Sequence, residues 1–309
     1  MYHALNDVAV VIPSYDGMYR LRKMVESLKR NDLEGMCNTQ IAVIQDKSDV
    51  NYDEVRNEYA WLCSENGFKF HALDEWSNMH GAAQKAFEYA VDIWSPRWII
   101  YLGDDVFFTK GSLMNMIHFV TMNDLDTVGL VQFPYWNTQD LSDGGHCEFK
   151  GPELFWHKRQ IWGQPLDWTD KVPPHPHWNE GVAREWGQEP GIACPYVNVN
   201  GCGFACKTET WIKAGGFAEG TWCLDESISV RTWMKSDQSI VALPGPPLVH
   251  YFGGATESDP PKHDLYTEEA WAAAMHMSKH EAGEISRKIM GMRAPAVIDE
   301  MKRCSYYEH

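Results

Sequence analysis

Two adjacent aspartates end an apolar run in YLGDDVF (101–107). Carboxylates held side by side at a strand end repel each other and lose hydration. A hard divalent cation shared with phosphate oxygens relieves both costs. The plainer reading of Asp104 and Asp105 is a turn or capping pair, since aspartate is common after strands. Further on, Asp225 and Glu226 open the helical run DESISVRTWMKS (225–236). A carboxylate there can take the proton of an attacking hydroxyl, or it can simply cap the helix. His250, in PPLVHYFGG (246–254), adds an imidazole that would favour Mn2+ over Mg2+. It can equally be an ordinary histidine near a strand end.

Such groups need a frame that brings them together. VAVVIP (8–13), QIAVIQD (40–46), FKFHAL (68–73), part of RWIIYLGDDVFF (97–108) and TVGLVQFPY (127–135) read as strands. Helical spacing runs through 19–30, 50–67, 80–94 and 111–122. This alternation predicts an α/β fold: a mostly parallel, Rossmann-like sheet with right-handed crossovers and helices on both faces. Ligands of open sheets sit beyond the carboxyl ends of the strands. The residues to inspect are therefore Pro13 to Asp16, Gln45 to Ser48 and Gly103 to Asp105.

The pattern breaks between 134 and 196, where six tryptophans and four histidines share an irregular stretch. Tryptophan faces suit sugars and bases, so an acceptor cleft is expected there; a core for an added lobe is the alternative. Alternation returns with a strand in 196–207, a helix at 208–214, Gly215-Gly216-Phe217, the helix at 225–236 and a strand at 239–245. A helix over 267–290 follows, with Thr267 as N-cap.

The 309 residues carry a formal net charge of −16, which argues against a protein that holds nucleic acid mainly through its phosphates. No apolar run approaches the ~18–20 residues of a membrane span, and the first residues show no secretory pattern. Eight scattered cysteines without a C-x-x-C pair read as free thiols, so a cytoplasmic protein is expected. Cys202 and Cys206 have a possible zinc spacing but no matching second pair.

Five segments together resemble the GT-A glycosyltransferases of family 2 type. VIPSYDGMYRLRKMVESL resembles the first strand and helix, where Pro13, Ser14 and Tyr15 would cradle the donor nucleoside. VIQDKSD resembles the strand whose acid reads the base, with Asp46 in that place; a turn acid is the alternative. YLGDDV resembles the D-x-D strand end that holds manganese or magnesium on the sugar-nucleotide diphosphate, although Gly103 stands where the first acid is usual. NGCGFACKTETWIKAGGFAEGTWCLDESISVR resembles the acceptor-side signature; aligned on Arg231, Asp225 inherits the catalytic position and Glu226 is its rival. LVHYFG resembles the closing strand whose histidine, here His250, often adds a metal ligand. Gln84 and Lys85 occupy the place of an Arg/Asn pair that binds the donor. Asp104 would serve both donor and metal.

The resemblance implies one GT-A domain over 1–254. Residues 1–133 form its nucleotide-sugar half, 134–196 a Trp-rich acceptor-side insertion and 197–254 the acceptor and catalytic half. Residues 255–309 follow as a loop and helical tail, with Lys262 and His263 as a lid over the diphosphate or an ordinary solvated loop. It also implies a UDP- or GDP-sugar donor, Mn2+ or Mg2+, and in-line attack with Asp225 as base, which inverts the anomeric centre. The Q-x-x-R-W motif of processive synthases is absent, so transfer of single sugars is expected. The acceptor would be a glycan, a lipid-linked sugar or a protein. Alternatives are a modified, hydroxymethylated DNA base, or a non-catalytic sugar- or nucleotide-binding module. Nine acids against five bases in 133–195 speak against duplex DNA there.

Overall fold

The computed structural model describes residues 7–15, 17–47, 52–138, 193–221, 223–243, 248–251 and 267–304. Most of the Trp-rich stretch (139–192) and the Lys262–His263 segment lie outside the described residues.

The apolar runs at 8–13 and 98–102 become β1 (Val8–Ser14) and β4 (Trp98–Leu102), both buried along their whole length. Strands buried on both faces read as continuous apolar runs rather than alternating ones. Around them lie β2 (Gln40–Gln45), β3 (Lys69–Ala72), β6 (Val128–Gln132), β8 (Cys194–Pro195), β9 (Gly203–Lys207) and β10 (Ser239–Ala242). The sheet order is β3-β2-β1-β4-β9-β6-β10-β8. Pairing is parallel except where β9 meets β4 and β6 and where β8 meets β10. Six of the eight strands thus run the same way, as the alternation predicts.

Helices α1 (Met18–Asn31) and α3 (Tyr52–Asn66) cover one face of β1 through Leu21, Met24, Tyr59 and Leu62, which join Val8, Val10 and Ile12. α4 (Asn78–Trp94) covers the other through Ala83, Ala86 and Phe87, which join Ala9 and Val11. Each fully buried Val or Leu adds about 1.5–3 kcal/mol of burial energy, so both helix faces are held firmly to β1. Between α1 and β2 sits a short helix that periodicity does not mark, α2 (Leu33–Cys37). α5 (Ser112–Met122) precedes β6.

Three differences from the sequence reading matter. The run through residue 108 is two strands: β4 ends at Leu102, and β5 (Val106–Phe108) belongs to a second, three-stranded sheet, β5-β11-β7. Its other members are β7 (Tyr135–Thr138) and β11 (Leu248–Tyr251). The strand expected over 196–207 is confined to 203–207, because residues before it turn to hydrogen-bond elsewhere: Asn200 N donates to the Gln132 side chain and Gly201 N to Asp225. The helix expected over 267–290 is two, α8 (Glu268–Met275) and α9 (Lys279–Met301). The break falls at His276, whose φ of 57° is left-handed. Ser278 then starts α9 with a reciprocal capping box to Glu281.

The tail is part of the body. Val297 and Met301 of α9 belong to the same core cluster as Val8 and Trp98. α6 (Thr208–Ala214) and α7 (Leu224–Lys235) complete the fold. None of the described helices is long and apolar enough to cross a membrane. The seven cysteines among the described residues are unbridged.

Candidate active site

The carboxyl ends of β1, β2 and β4 meet the start of α7 and the middle of β11. Gly103 follows β4, and its N–H donates to the Cys202 carbonyl at 3.0 Å. A Cβ on Gly103 would come within 2.6 Å of Asp105 Oδ1. The missing first acid of the D-x-D pattern thus leaves space that the Asp105 carboxylate uses.

Asp104 and Asp105 are each only 6% exposed, yet they face different partners. Asp104 Oδ2 accepts from the Ser14 hydroxyl at 2.5 Å, and Oδ1 accepts from Arg20 Nε at 3.3 Å. Ser14 has one proton and donates it to Asp104, so the Tyr59 hydroxyl, 2.7 Å away, donates to Ser14. Burial drives the Asp104 carboxyl up against the pull of Arg20, with Asp105 adding to the rise. Asp105 instead lies 3.6 Å from His250 Nε2, and its carbonyl accepts from Tyr251 N at 2.9 Å. The small second sheet does this work: β11 pairs antiparallel with β5, setting His250 opposite Val106, the residue after Asp105.

Asp225 stands in the first turn of α7, partly buried. Its side chain does not cap α7 in the ordinary sense, because the N-cap is Cys223. Oδ2 accepts from Gly201 N at 2.9 Å and Oδ1 from Glu226 N at 3.0 Å. Desolvation pushes its carboxyl up, and those two N–H groups oppose the rise. Between the two acidic positions lies Cys202, whose thiol is held well above its ordinary range by burial and then by both Asp105 and Asp225. The expected base and the acid pair therefore border one small region.

Glu226 points elsewhere. Lys279 Nζ of α9 reaches Glu226 Oε2 at 3.3 Å and Cys223 Sγ at 3.1 Å. At the far end of α7, Arg293 donates to the carbonyls of Trp233, Ser236 and Gln238. α9 thereby grips α7 at both ends.

The remaining expected residues divide. Pro13 is buried in β1, opposite Ile44, and the Tyr15 carbonyl accepts from Arg20 Nη2 at 3.4 Å. Asp46 Oδ1 collects Lys47 N, Ser77 N and Ser77 Oγ at 2.9–3.0 Å, and burial raises its carboxyl to about 6. It ties the end of β2 to the start of α4, so the turn-acid role is present at this oxygen. Gln84 Oε1 accepts from Phe217 N at 3.1 Å, under a turn where Gly215 and Gly216 have φ of 78° and 71°. Arg231 Nη1 donates to both glycine carbonyls at 3.2 Å. Gln84 and Arg231 thus brace the Gly-Gly-Phe turn. Lys85 lies on the exposed face of α4, paired with Glu88 at 3.0 Å. Cys202 and Cys206 join no group of three metal-binding side chains among the described residues.

Two site residues escape the sequence reading, Arg20 and Tyr59. Both sit on amphipathic helices where neighbouring charges and aromatics look alike. The usable signal for Arg20 is its place in the first turn of the helix after the Pro-Ser-Tyr segment.

Residues 9–160 match the family model described as Glycosyl transferase family 2. No curated protein matches the sequence. Among solved structures, GalNAc-T7 with UDP, GalNAc and Mn2+ is similar at a TM-score of 0.54 and 12% identity, covering 81% of this chain and 44% of that one. This chain thus spans less than half of that protein's length. The mannosyltransferase PcManGT from Pyrobaculum calidifontis, in complex with GDP-Man and Mn2+, is similar at a TM-score of 0.50 and 14% identity, covering 94% of this chain and 75% of that one. Both likenesses are of fold. The match to the glycosyl transferase family 2 model thus spans just under half of the chain, and the fold is of the GT-A type.

Proposed function

We propose that the chain moves a single sugar from a UDP- or GDP-sugar to an acceptor hydroxyl, with Asp225 as general base and inversion at the anomeric carbon. The observation that carries this is the meeting of three acids at one corner. Asp104 and Asp105 close the end of β4, and Asp225 faces the same buried Cys202 from the start of α7. The two related structures were solved with UDP or GDP-Man and with Mn2+, which supports the same classes of donor and metal here.

The residues fit a hard dication. Two buried carboxylates carry two negative charges, Arg20 supplies one positive charge, and His250 adds an imidazole beside Asp105. Among the described residues no three His, Cys, Asp or Glu side chains are grouped to hold an ion by themselves. Mg2+ and Mn2+ are commonly held by one or two carboxylates together with substrate phosphates. Asp105 and His250 would hold the ion, with Asp104 beside it on the donor side, and its charge would offset the negative charge growing on the leaving nucleoside diphosphate.

The chain's own groups do the rest. Gly201 N and Glu226 N fix both Asp225 oxygens, so the carboxylate is oriented before any acceptor arrives. Partial burial raises its basicity, which helps it take the acceptor proton. Ser14, Tyr15 and Asp46 line the strand ends where the nucleoside would lie. Gln84 would act by holding the Gly-Gly-Phe turn. Residues 1–254 would form the transferase domain, with 134–196 on the acceptor side. The acceptor class is a glycan, a lipid-linked sugar or a protein.

A nucleotide-sugar panel read by thermal stabilisation, with and without Mn2+, tests this reading. A donor at 100 times its Kd adds about 2.7 kcal/mol to stability. The expected result is one UDP- or GDP-sugar that stabilises only with Mn2+ and is slowly hydrolysed. Stabilisation without hydrolysis would favour a binding module instead.

A further inference from the structure

We infer that Arg20 divides the acid pair: it holds Asp104 on the donor side, leaves Asp105 with His250 for the divalent ion, and so keeps metal uptake weak until a nucleoside diphosphate arrives. This rests on the metal-dependent reading proposed above.

Both Asp104 oxygens are committed. Oδ2 accepts from Ser14, whose own oxygen is held by Tyr59, and Oδ1 accepts from Arg20 Nε. Gly17 makes this possible, because a side chain there would occupy the place of Oδ2. The Arg20 side chain is only 12% exposed, and its guanidinium lies close enough to feel Asp105 as well as Asp104. Asp105 faces the other way, toward His250. The two neighbouring carboxylates therefore sit in two different settings, one bound to an internal cation and one turned to an imidazole.

The charges give the consequence. Two carboxylates and one guanidinium leave a net charge of about −1, and a guanidinium cannot shed its proton to make room for more positive charge. A dication entering alone meets that fixed cation across a poorly screened interior. A diphosphate brings negative charge of its own, so the ion and the nucleotide are each bound better in the presence of the other. The coupling is reciprocal by necessity.

The test is titration of Mn2+ alone into the full chain, read by the electron paramagnetic resonance signal of the free ion. Arg20→Met should bind Mn2+ about tenfold or more tightly than the parent, since a fixed opposing charge is gone. Arg20→Lys should stay close to the parent. Arg20→Gln keeps a donor for Asp104 without the charge; it should match Arg20→Met and perturbs packing less. Adding UDP or GDP should shrink the difference between Arg20→Met and the parent. Equal or weaker Mn2+ binding by both uncharged variants, with parent binding intact, overturns the inference and leaves the metal site standing. If neither the parent nor any variant binds Mn2+ with or without nucleotide, the metal reading itself fails, and this inference with it.

Discussion

Replacing Gly17 with alanine adds one methyl group at the most crowded point of the site. Gly17 is the N-cap of α1 with φ −92° and ψ 22°, so its backbone needs no glycine. At an ordinary N-cap, alanine in place of glycine costs under about 1 kcal/mol, and the loss of unfolded-chain entropy returns about 0.4–1 kcal/mol. The expected balance without a clash is near zero. Here the new Cβ would fall on Asp104 Oδ2 and come within 2.8 Å of Arg20 Nη2. Asp104 must leave, and it loses the Ser14 and Arg20 hydrogen bonds together. Hydrogen bonds to charged groups contribute about 1.5–3 kcal/mol each. With partial relaxation, Gly17→Ala should destabilise by about 2–4 kcal/mol. Urea unfolding measures this, and a double-mutant cycle assigns it: in an Asp104→Ala background the same alanine should cost little, giving a coupling above about 1 kcal/mol. A change within about 0.5 kcal/mol of the parent, or an equal loss in both backgrounds, would refute the placement of Asp104 against Gly17.

Asp225→Asn should keep nucleotide-sugar binding and lower turnover by about 10²–10⁴-fold, the usual worth of a general base; full turnover would remove the assignment. Because burial raises the Asp225 carboxyl, the acid limb of the parent's pH–rate profile should lie above the ordinary aspartate value, with activity lost as pH falls through it. Arg293→Met removes three carbonyl partners at the end of α7 and should destabilise by about 1–3 kcal/mol in urea unfolding, while Arg293→Lys should recover part of the loss. Asp32 is raised from 3.8 to about 6 by burial, although Gly35, Leu113 and Met114 N–H groups all favour its charge. Its folded pKa exceeds its unfolded one, so its titration favours the native state most below pH 3.8, and that contribution is lost as pH rises through 6. Asp32→Asn should flatten that part of the stability curve, as measured by thermal melts across pH 4–7.

The parallel half of the sheet was legible because its signals are local. β1, β2 and β4 are buried runs, and the helices between them carry their own periodicity. The acids at 104, 105 and 225 were legible as positions, since each ends a strand or starts a helix. Their partners were not. β5, β7 and β11 are three- to four-residue strands from distant parts of the chain, and no short segment announces that His250 lies opposite Val106. Asp225 and Glu226 differ in that Lys279, in another helix far along the chain, pairs with Glu226. Arg20, Arg22 and Lys23 look equivalent on α1, yet only Arg20 turns toward Asp104, while Arg22 pairs with Glu58 and Lys23 lies over Tyr19. The helix expected over 267–290 failed at His276 because a histidine in left-handed backbone leaves no mark in the apolar spacing.

The most direct measurement is anomalous diffraction from crystals soaked with Mn2+ and UDP or GDP. A manganese peak is expected between Asp105 and His250, with diphosphate oxygens completing its shell and Asp104 still held by Ser14 and Arg20. Nucleotide bound elsewhere, or bound at the end of β4 with no metal beside Asp105, would contradict it.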